Sequence, residues 1–199
     1  MNPPAAYFNP SCKLKAFVLG CDPTAFTKQD HQKFKKGEIS AVERHPIPFT
    51  NAFDLDNGLK YFQTINANLE DLGMKYKEDI YVQNLVLEYQ SEESSKNKQW
   101  KTIASEKIAD RKKEFDTVDP SGKIPVLLTS ALLYNVLLKD EEKSRKPKEL
   151  YSADGEVIIP AYRNKLGRPI VPFYRNFKYA LSRHLVYKEK LKTLLFITS

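Results

Sequence analysis

The sequence predicts a three-layer α/β/α protein, in which helices cover both faces of a central, mostly parallel sheet of about four strands. Short apolar runs alternate along the chain with longer segments of helical periodicity, the pattern typical of this class. A chain of 199 residues with 41% hydrophobic content can bury one substantial core, but it is short for two domains of ordinary size. We therefore predict a single domain, residues 1–199.

The first third of the chain contains one predicted strand and one predicted helix. Residues 15–19 form an apolar run that ends at Gly20, which indicates a buried strand followed by a turn. Residues 24–51 are polar, without clear periodicity, and predict a surface loop. Apolar residues then recur at helical spacing over residues 59–72, and Gly73 marks the end of that helix.

The middle of the chain alternates in the same way. We predict strand 80–87, helix 100–115, strand 124–129 and helix 132–137. The second strand carries two polar residues, Gln83 and Asn84, where a buried strand would be apolar. Ligands of parallel α/β sheets bind at the carboxyl ends of the strands, so polar residues there are candidates for function.

The last part of the chain predicts two strands and a closing helix. Residues 157–162 and 170–174 have strand-like composition, with a charged, exposed connection before them. The closing helix would bury an apolar face that contains Phe177, Leu181, either His184 or Leu185, and Leu191.

The net charge of +7 is concentrated at the C-terminal end. Residues 163–199 contain nine basic residues against one acidic residue, Glu189. A phosphate backbone would be attracted to such a segment through counterion release. The alternative interpretation is a solvated face that keeps the protein soluble.

The composition argues against several other classes of protein. No apolar window approaches the ~18 residues of a membrane span, and the N-terminus lacks a basic segment followed by an apolar run. Cys12 and Cys21 are too few for a disulfide framework, and the three histidines are scattered. We therefore expect a cytoplasmic protein with no membrane partner, no metal and no cofactor.

One series of motifs carries a resemblance to a known family. The run Phe-Val-Leu-Gly-Cys-Asp-Pro at residues 17–23 resembles the first motif of uracil-DNA glycosylases, a buried strand followed by Gly-X-Asp-Pro. Further elements match in order: Phe53, the strand at 81–86 that carries Asn84, Trp100 at the start of a helix, residues 123–130, and residues 168–175 in the place of the closing motif. The chain thus resembles the uracil-DNA glycosylase-like superfamily over nearly its whole length.

The resemblance implies a catalytic role for Asp22, the carboxylate that orients a water and stabilises positive charge on the deoxyribose. Asn84 would read the edge of the base, because its amide offers a donor and an acceptor in one plane. Phe53 would stack on the base. Each residue also has an ordinary interpretation: an Asp-Pro turn, an asparagine that caps a loop, and a core phenylalanine, for which Phe26 and Phe49 are rivals.

The sequence also departs from the family pattern. Cys21, Pro23 and Thr24 would complete the base-binding turn, but the family's uracil-specific branch often has a tyrosine where Thr24 stands, so exclusion of thymine by bulk is in doubt. The closing motif has no histidine, and if Pro172 matches the motif's proline, Val171 takes the place of the histidine. The absence of this histidine would remove a main stabiliser of the leaving base.

Tyr174, Arg175 and Asn176 lie next to that position and are candidates for the leaving-group contact or for a phosphate contact.

The resulting hypothesis is a monomeric DNA glycosylase that hydrolyses the N-glycosidic bond of a damaged or deaminated, uracil-type base with an Asp-oriented water. Its partner would be DNA, single-stranded or with a flipped base. The alternative is a catalytically divergent protein on the same scaffold that binds a nucleobase or nucleic acid. A third interpretation, an unrelated α/β hydrolase or transferase, predicts that Asp22 and Asn84 do not face a common cleft.

Overall fold

The structure is a computed structural model that describes residues 3–11, 13–23, 51–53, 60–90, 92–152 and 154–196. Its centre is a four-stranded, all-parallel sheet in the order β2-β1-β3-β4. The strands are β1 (Ala16–Gly20), β2 (Ile80–Asn84), β3 (Val126–Leu128) and β4 (Ile170–Pro172). The predicted parallel sheet of about four strands is therefore confirmed.

Helices connect these strands and complete a three-layer α/β/α architecture. The described helices are α1 (Lys60–Asp71), α2 (Trp100–Val118), α3 (Ala131–Leu137), α4 (Pro147–Leu150) and α5 (Leu185–Phe196). Single 3-10 turns lie at Ala161–Arg163, Phe177–Tyr179 and Leu181–Arg183. No helix in these ranges is long and apolar enough to cross a membrane.

The apolar runs form the core that the periodicity predicted. Every residue of all four strands is buried. This explains why the strands lack the alternation of a half-exposed sheet. The rings of Phe17 on β1 and Phe115 on α2 pack with centroids 4.2 Å apart. The helix α1 ends as predicted, with Gly73 just beyond it at φ 73°, a left-handed conformation that favours glycine.

The predicted strand at 157–162 is wrong. In the structure Ile159 makes only an isolated antiparallel bridge with Ile170, and Ala161–Arg163 is a 3-10 turn. Pro160 lies between them and has no N–H to continue a ladder. The run is apolar because Ile159 is buried beside β4, which a strand-like composition cannot distinguish from a paired strand.

The closing helix begins later than the sequence predicted. Two 3-10 turns precede it, and the Asn176 side chain caps the first by accepting from the backbone N of Lys178. Phe177 is 62% exposed and Leu185 is 63% exposed, so both lie outside the apolar face, whereas Leu181 and Leu191 are buried as expected. The change of helix type shifts the faces, since 3-10 and α periodicities differ.

The basic C-terminal segment divides into two parts. Arg163, Lys165 and Lys188 form ion pairs with acidic side chains, and Arg168 is fully buried. These cations are therefore part of the fold, and the expectation that the whole segment is a surface for phosphates is wrong. The exposed cations that follow β4 in the described residues are Arg175, Lys178, Arg183 and Lys190, and the first three lie before the closing helix.

Candidate functional site

The carboxyl ends of the strands meet at one edge of the sheet. Hydrogen bonds continue past the strand ends, from Leu85 N to Gly20 O (2.8 Å), from Thr129 N to Leu19 O (3.1 Å) and from Arg175 N to Thr129 O (3.0 Å). These bonds bring the residues after β1, β2, β3 and β4 together. Asp22, Asn84 and Arg175 therefore lie at the same edge.

The Asp22 carboxylate is held by one oxygen only. Its Oδ2 accepts hydrogen bonds from Ser94 Oγ at 2.6 Å and from Trp100 Nε1 at 2.8 Å. Its Oδ1 is buried and has no hydrogen-bond partner among the residues that the structure describes. A buried carboxylate oxygen without a partner is rare and calls for an explanation. Within the described residues, the hydrogen-bonding capacity of this oxygen is therefore unused.

The surroundings of Asp22 act on its pKa in opposite directions. Burial raises the pKa of the Asp22 carboxyl, while the hydrogen bonds from Ser94 and Trp100 and the positive charge of Arg175 partly offset this rise. The net effect is a raised pKa. A buried carboxyl with a raised pKa and a specific cationic neighbour is typical of functional sites.

Cys21 is a buried residue of the same turn. It is 8% exposed, and burial raises the pKa of its thiol to about 12, with the neighbouring Asp22 charge adding to the rise. At neutral pH the side chain is therefore the neutral thiol, which is a poor nucleophile. Hydrogen bonds link it to Ser94 and Ser130. Cys21 contributes a wall of the site, and Pro23 beside it is also buried.

Gly20 is the point at which Asn84 and Phe53 converge. A Cβ atom placed on Gly20 would lie 2.2 Å from Asn84 Oδ1 and 2.5 Å from Phe53 Cζ. Real Cβ atoms essentially never show contacts this short, so only glycine leaves room here for both side chains. The structure thus brings together the predicted base-reading amide and the predicted stacking ring.

Phe53 has an unusual backbone conformation. It is the non-glycine residue with positive φ in the described part of the chain, at φ 70°, and its side chain is 3% exposed. Left-handed backbone at a bulky residue costs of order 1–3 kcal/mol and persists where the surroundings enforce it. Its ring also packs against Phe62, with centroids 5.9 Å apart, so Phe53 belongs to both the core and the site.

Tyr174 lies apart from Asp22. Its ring contacts those of Tyr151 and Tyr179, at centroid distances of 5.5 and 5.7 Å, and its hydroxyl is buried without a partner in the described residues. Burial raises the pKa of this hydroxyl above its ordinary value. The side chain is therefore enclosed by neighbouring aromatic rings, and its contact with a leaving group or a phosphate stays a prediction.

The other residues predicted for this site have different placements. Arg175 is exposed, and its charge acts on both Asp22 and Cys21. Asn176 is exposed and serves as a local cap. Thr24 lies outside the described residues.

Ser94 and Trp100 are the residues of this site whose roles the sequence did not reveal. Trp100 is recognisable only as the first residue of α2, and Ser94 lies in a polar stretch that indicates a solvated loop. Their bonds to Asp22 span 72 and 78 residues of sequence, so no local pattern could have shown them.

Within the described ranges, no group of three or more His, Cys, Asp or Glu side chains could hold a metal ion.

Comparison with protein-family models gives no match, and comparison with curated protein sequences gives none either.

Proposed function

We propose that the protein hydrolyses the N-glycosidic bond of a damaged or deaminated base of the uracil type in DNA. The observation that carries this proposal is the Asp22 carboxylate, with Oδ2 held by Ser94 and Trp100 and Oδ1 buried without a described partner. A carboxylate fixed through one oxygen can use the other to orient a water. The reaction is a displacement that needs one water, one oriented carboxylate and a means to stabilise the leaving base.

In the proposed reaction the bond between C1′ of the deoxyribose and the base nitrogen breaks, and the base keeps the electron pair. The sugar passes through an oxocarbenium-like state, which a nearby anion stabilises more than it stabilises the ground state. A water held by Asp22 Oδ1 then forms the new C–O bond at C1′. The water loses one proton, and the departing base gains one.

Asn84 and Phe53 would hold the base. The Asn84 amide can donate to a carbonyl and accept from a ring N–H of the same base edge. The Phe53 ring supplies a stacking face, which is worth roughly 1–3 kcal/mol per base in single-strand binding. Both side chains lie over Gly20, two residues before Asp22, so a base that contacted both of them would lie close to Asp22.

Arg175 is the proposed stabiliser of the leaving base in this protein. It occupies the region where the family motif has its histidine, and its positive charge acts on Asp22 and Cys21. A guanidinium stays charged at all relevant pH values and would favour the anionic form of the base.

The DNA contact surface would begin at the same residue. Lys178 and Arg183 are exposed nearby in sequence, and the Arg183 guanidinium lies 4.1 Å from the centroid of the exposed Phe177 ring. Exposed cations beside an aromatic face are suited to phosphates and unpaired bases.

The test is base release from labelled single- and double-stranded oligonucleotides that contain uracil, hypoxanthine, xanthine or a thymine mismatch. We expect release by the wild-type protein and a loss of at least about 10²-fold in Asp22→Asn, because the neutral amide cannot stabilise the developing cation. Asp110→Asn, an exposed acid on α2, is the matched control and should retain activity. No release by folded wild-type protein would contradict the proposal.

The second candidate is a protein that binds a base in DNA without cleaving it. The closing motif has no histidine, which favours this candidate because a main stabiliser of the leaving base is missing. It predicts that the same oligonucleotides bind without base release, and that Asp22→Asn binds as tightly as the wild type.

A further inference from the structure

Gln83 is a buried polar residue in the strand β2, which is otherwise mostly apolar. It is 4% exposed and lies on the face of β2 that contacts α2. Its Nε2 donates to Glu114 Oε1 at 3.2 Å, and its Oε1 accepts from the backbone N of Asn84 at 2.9 Å. One side chain therefore links the helix α2 to the residue that carries the proposed base-reading amide.

The Asn84 N–H needs this bond because β2 is an edge strand. Backbone N–H groups of a strand point alternately to its two sides, and Leu85 N bonds to β1 through Gly20 O, so Asn84 N points outward. On that outer side Tyr7 pairs with Val82, at 3.0 and 2.9 Å. Two residues further along, the partner of the outward N–H is the Gln83 side chain.

Glu114 determines which way the Gln83 amide points. A carboxylate only accepts hydrogen bonds, so the Gln83 NH2 group must face Glu114 and its oxygen must face the Asn84 N–H. Glu114 is itself fixed, because its Oε1 accepts from Tyr81 Oη at 2.5 Å and its Oε2 pairs with the guanidinium of Arg111. Arg111 is 2% exposed and Gln83 is 4% exposed, whereas the Glu114 side chain is half-buried, so the bond between Gln83 and the Asn84 N–H is the shielded part of this arrangement.

We propose that Gln83, oriented by Glu114, is the positioning residue that fixes Asn84 at the end of β2 for base recognition. This inference rests on the proposed function of the site. Asn84 is the last residue of its strand and packs on Gly20, so a shift of the strand end would move the amide relative to the base. A displacement of about 1 Å in a positioned group can cost about 10²-fold in rate.

The first test is hydrogen exchange of backbone amides in the protein without DNA. In Gln83→Met, which keeps the length of the side chain but removes both hydrogen bonds, we expect the Asn84 N–H to exchange at least about tenfold faster. The Val82 N–H, bonded to Tyr7, is the internal control and should be unchanged. Unchanged exchange at Asn84 would overturn the proposal.

The second test uses base release from a uracil-containing oligonucleotide. We expect Gln83→Met to lower kcat/KM by about 10- to 100-fold. The double variant Gln83→Glu with Glu114→Gln reverses donor and acceptor, because the new amide can donate to the new carboxylate, which still accepts from Asn84 N–H. It should restore kcat/KM to within a few fold, whereas Gln83→Glu alone places two carboxylates together and should not.

Tyr81→Phe is the matched control, since it removes a bond to Glu114 but leaves the contact between Gln83 and Asn84. Equal losses in Tyr81→Phe and Gln83→Met, without rescue by the double variant, would show a merely structural role and overturn the proposal. Absence of base release by the wild type would defeat the proposed function. The exchange measurement would still decide whether Gln83 fixes Asn84, so the two failures are distinguishable.

Discussion

The two ends of the sheet differ in how completely their charged groups are hydrogen-bonded. At the amino end, Arg168 lies just before β4 and is fully buried, with its Nη2 2.6 Å from Asp116 Oδ1 and its Nη1 3.2 Å from Asp119 Oδ2. At the carboxyl end, Asp22 is half-buried, and its buried Oδ1 has no partner among the described residues. The Arg168 guanidinium donates four hydrogen bonds and leaves only its Nε without a described partner, whereas the Asp22 carboxylate leaves one of its two oxygens without one.

The pKa values of Asp119 and Asp22 are shifted in opposite directions, which agrees with this contrast. For Asp119, burial alone would raise the pKa, but hydrogen bonds from Ser121 and Ile124 and the charge of Arg168 lower it below the ordinary value. For Asp22, burial prevails and the pKa is raised. The surroundings at the amino end therefore stabilise the ionised carboxylate of Asp119. At the carboxyl end, ionisation of Asp22 lowers the stability of the fold, as is typical of functional sites.

The largest effect on stability should come from Arg168→Met. The substitution leaves Asp116 and Asp119 without their shared cation and removes the guanidinium stacked 5.0 Å from the Phe17 ring centroid. Breaking a buried ion pair costs about 3–5 kcal/mol, and we expect a loss near the lower end because Asp116 is partly exposed. Urea unfolding measures it.

The control for that variant is Lys178→Met, which changes an exposed cation of the same segment and should alter the free energy of unfolding by less than about 0.5 kcal/mol. Equal effects of the two substitutions would show that the buried cluster has no special role in the fold.

Gly20→Ala should have the next largest effect, and it should act at the carboxyl end. The added methyl group would collide with Asn84 and Phe53, a clash of the kind that costs about 1–3 kcal/mol. It should also abolish base release, because it would displace the two side chains that are proposed to hold the base.

Gly122→Ala provides the comparison, as Gly122 has positive φ but open space around it. It should cost about 1 kcal/mol and leave base release intact. Base release by Gly20→Ala at the wild-type rate would show that the packing of Asn84 and Phe53 on Gly20 is not needed for activity.

Asp22→Asn and Asp119→Asn should shift stability in opposite directions. The folded protein holds the Asp22 proton more tightly than the unfolded chain does, so ionisation of Asp22 costs stability as pH rises above the ordinary pKa of 3.8. At pH 7 Asp22→Asn should therefore be more stable than the wild type, and the gain should shrink as pH falls toward 3.8.

Asp119→Asn should be less stable than the wild type at pH 7. The pKa of Asp119 is lowered in the folded protein, so its contribution is fully present above the unfolded value of 3.8 and is lost as pH falls through the folded value. Thermal unfolding of both variants from pH 3 to pH 8 measures the two signs. Parallel pH profiles would remove the contrast between the two ends.

The smallest effect on stability should come from Lys178→Gln with Arg183→Gln, for which we expect a change within about 0.5 kcal/mol. If these exposed cations contact phosphates, the slope of log K against log salt for a uracil-containing oligonucleotide should become less steep by about 1 per cation. The pair Lys96→Gln with Lys123→Gln is the control. A slope unchanged by the first pair would exclude this surface as the DNA contact.

The sequence by itself determined the layers and most elements of the fold. Residues 15–19, 80–87 and 124–129 are apolar runs of a kind that a sheet covered on both faces requires, and the periodicity of residues 59–72 predicted α1 and its end at Gly73. Polar residues after such strands also indicated where a site would be, because parallel strands deliver their carboxyl ends to one edge. These features are local in sequence.

Only the tertiary structure decided which polar and charged groups remain available. Ser94 and Trp100 bond to Asp22, Arg168 is enclosed by α2, and Tyr174 turns into a cluster of tyrosines. The composition does not distinguish a buried, paired arginine from an exposed one. The loss of stability on removing the arginine differs between the two by several kcal/mol. The availability of a charge depends on partners that are distant in sequence, and the folding of the chain is what brings those partners into contact.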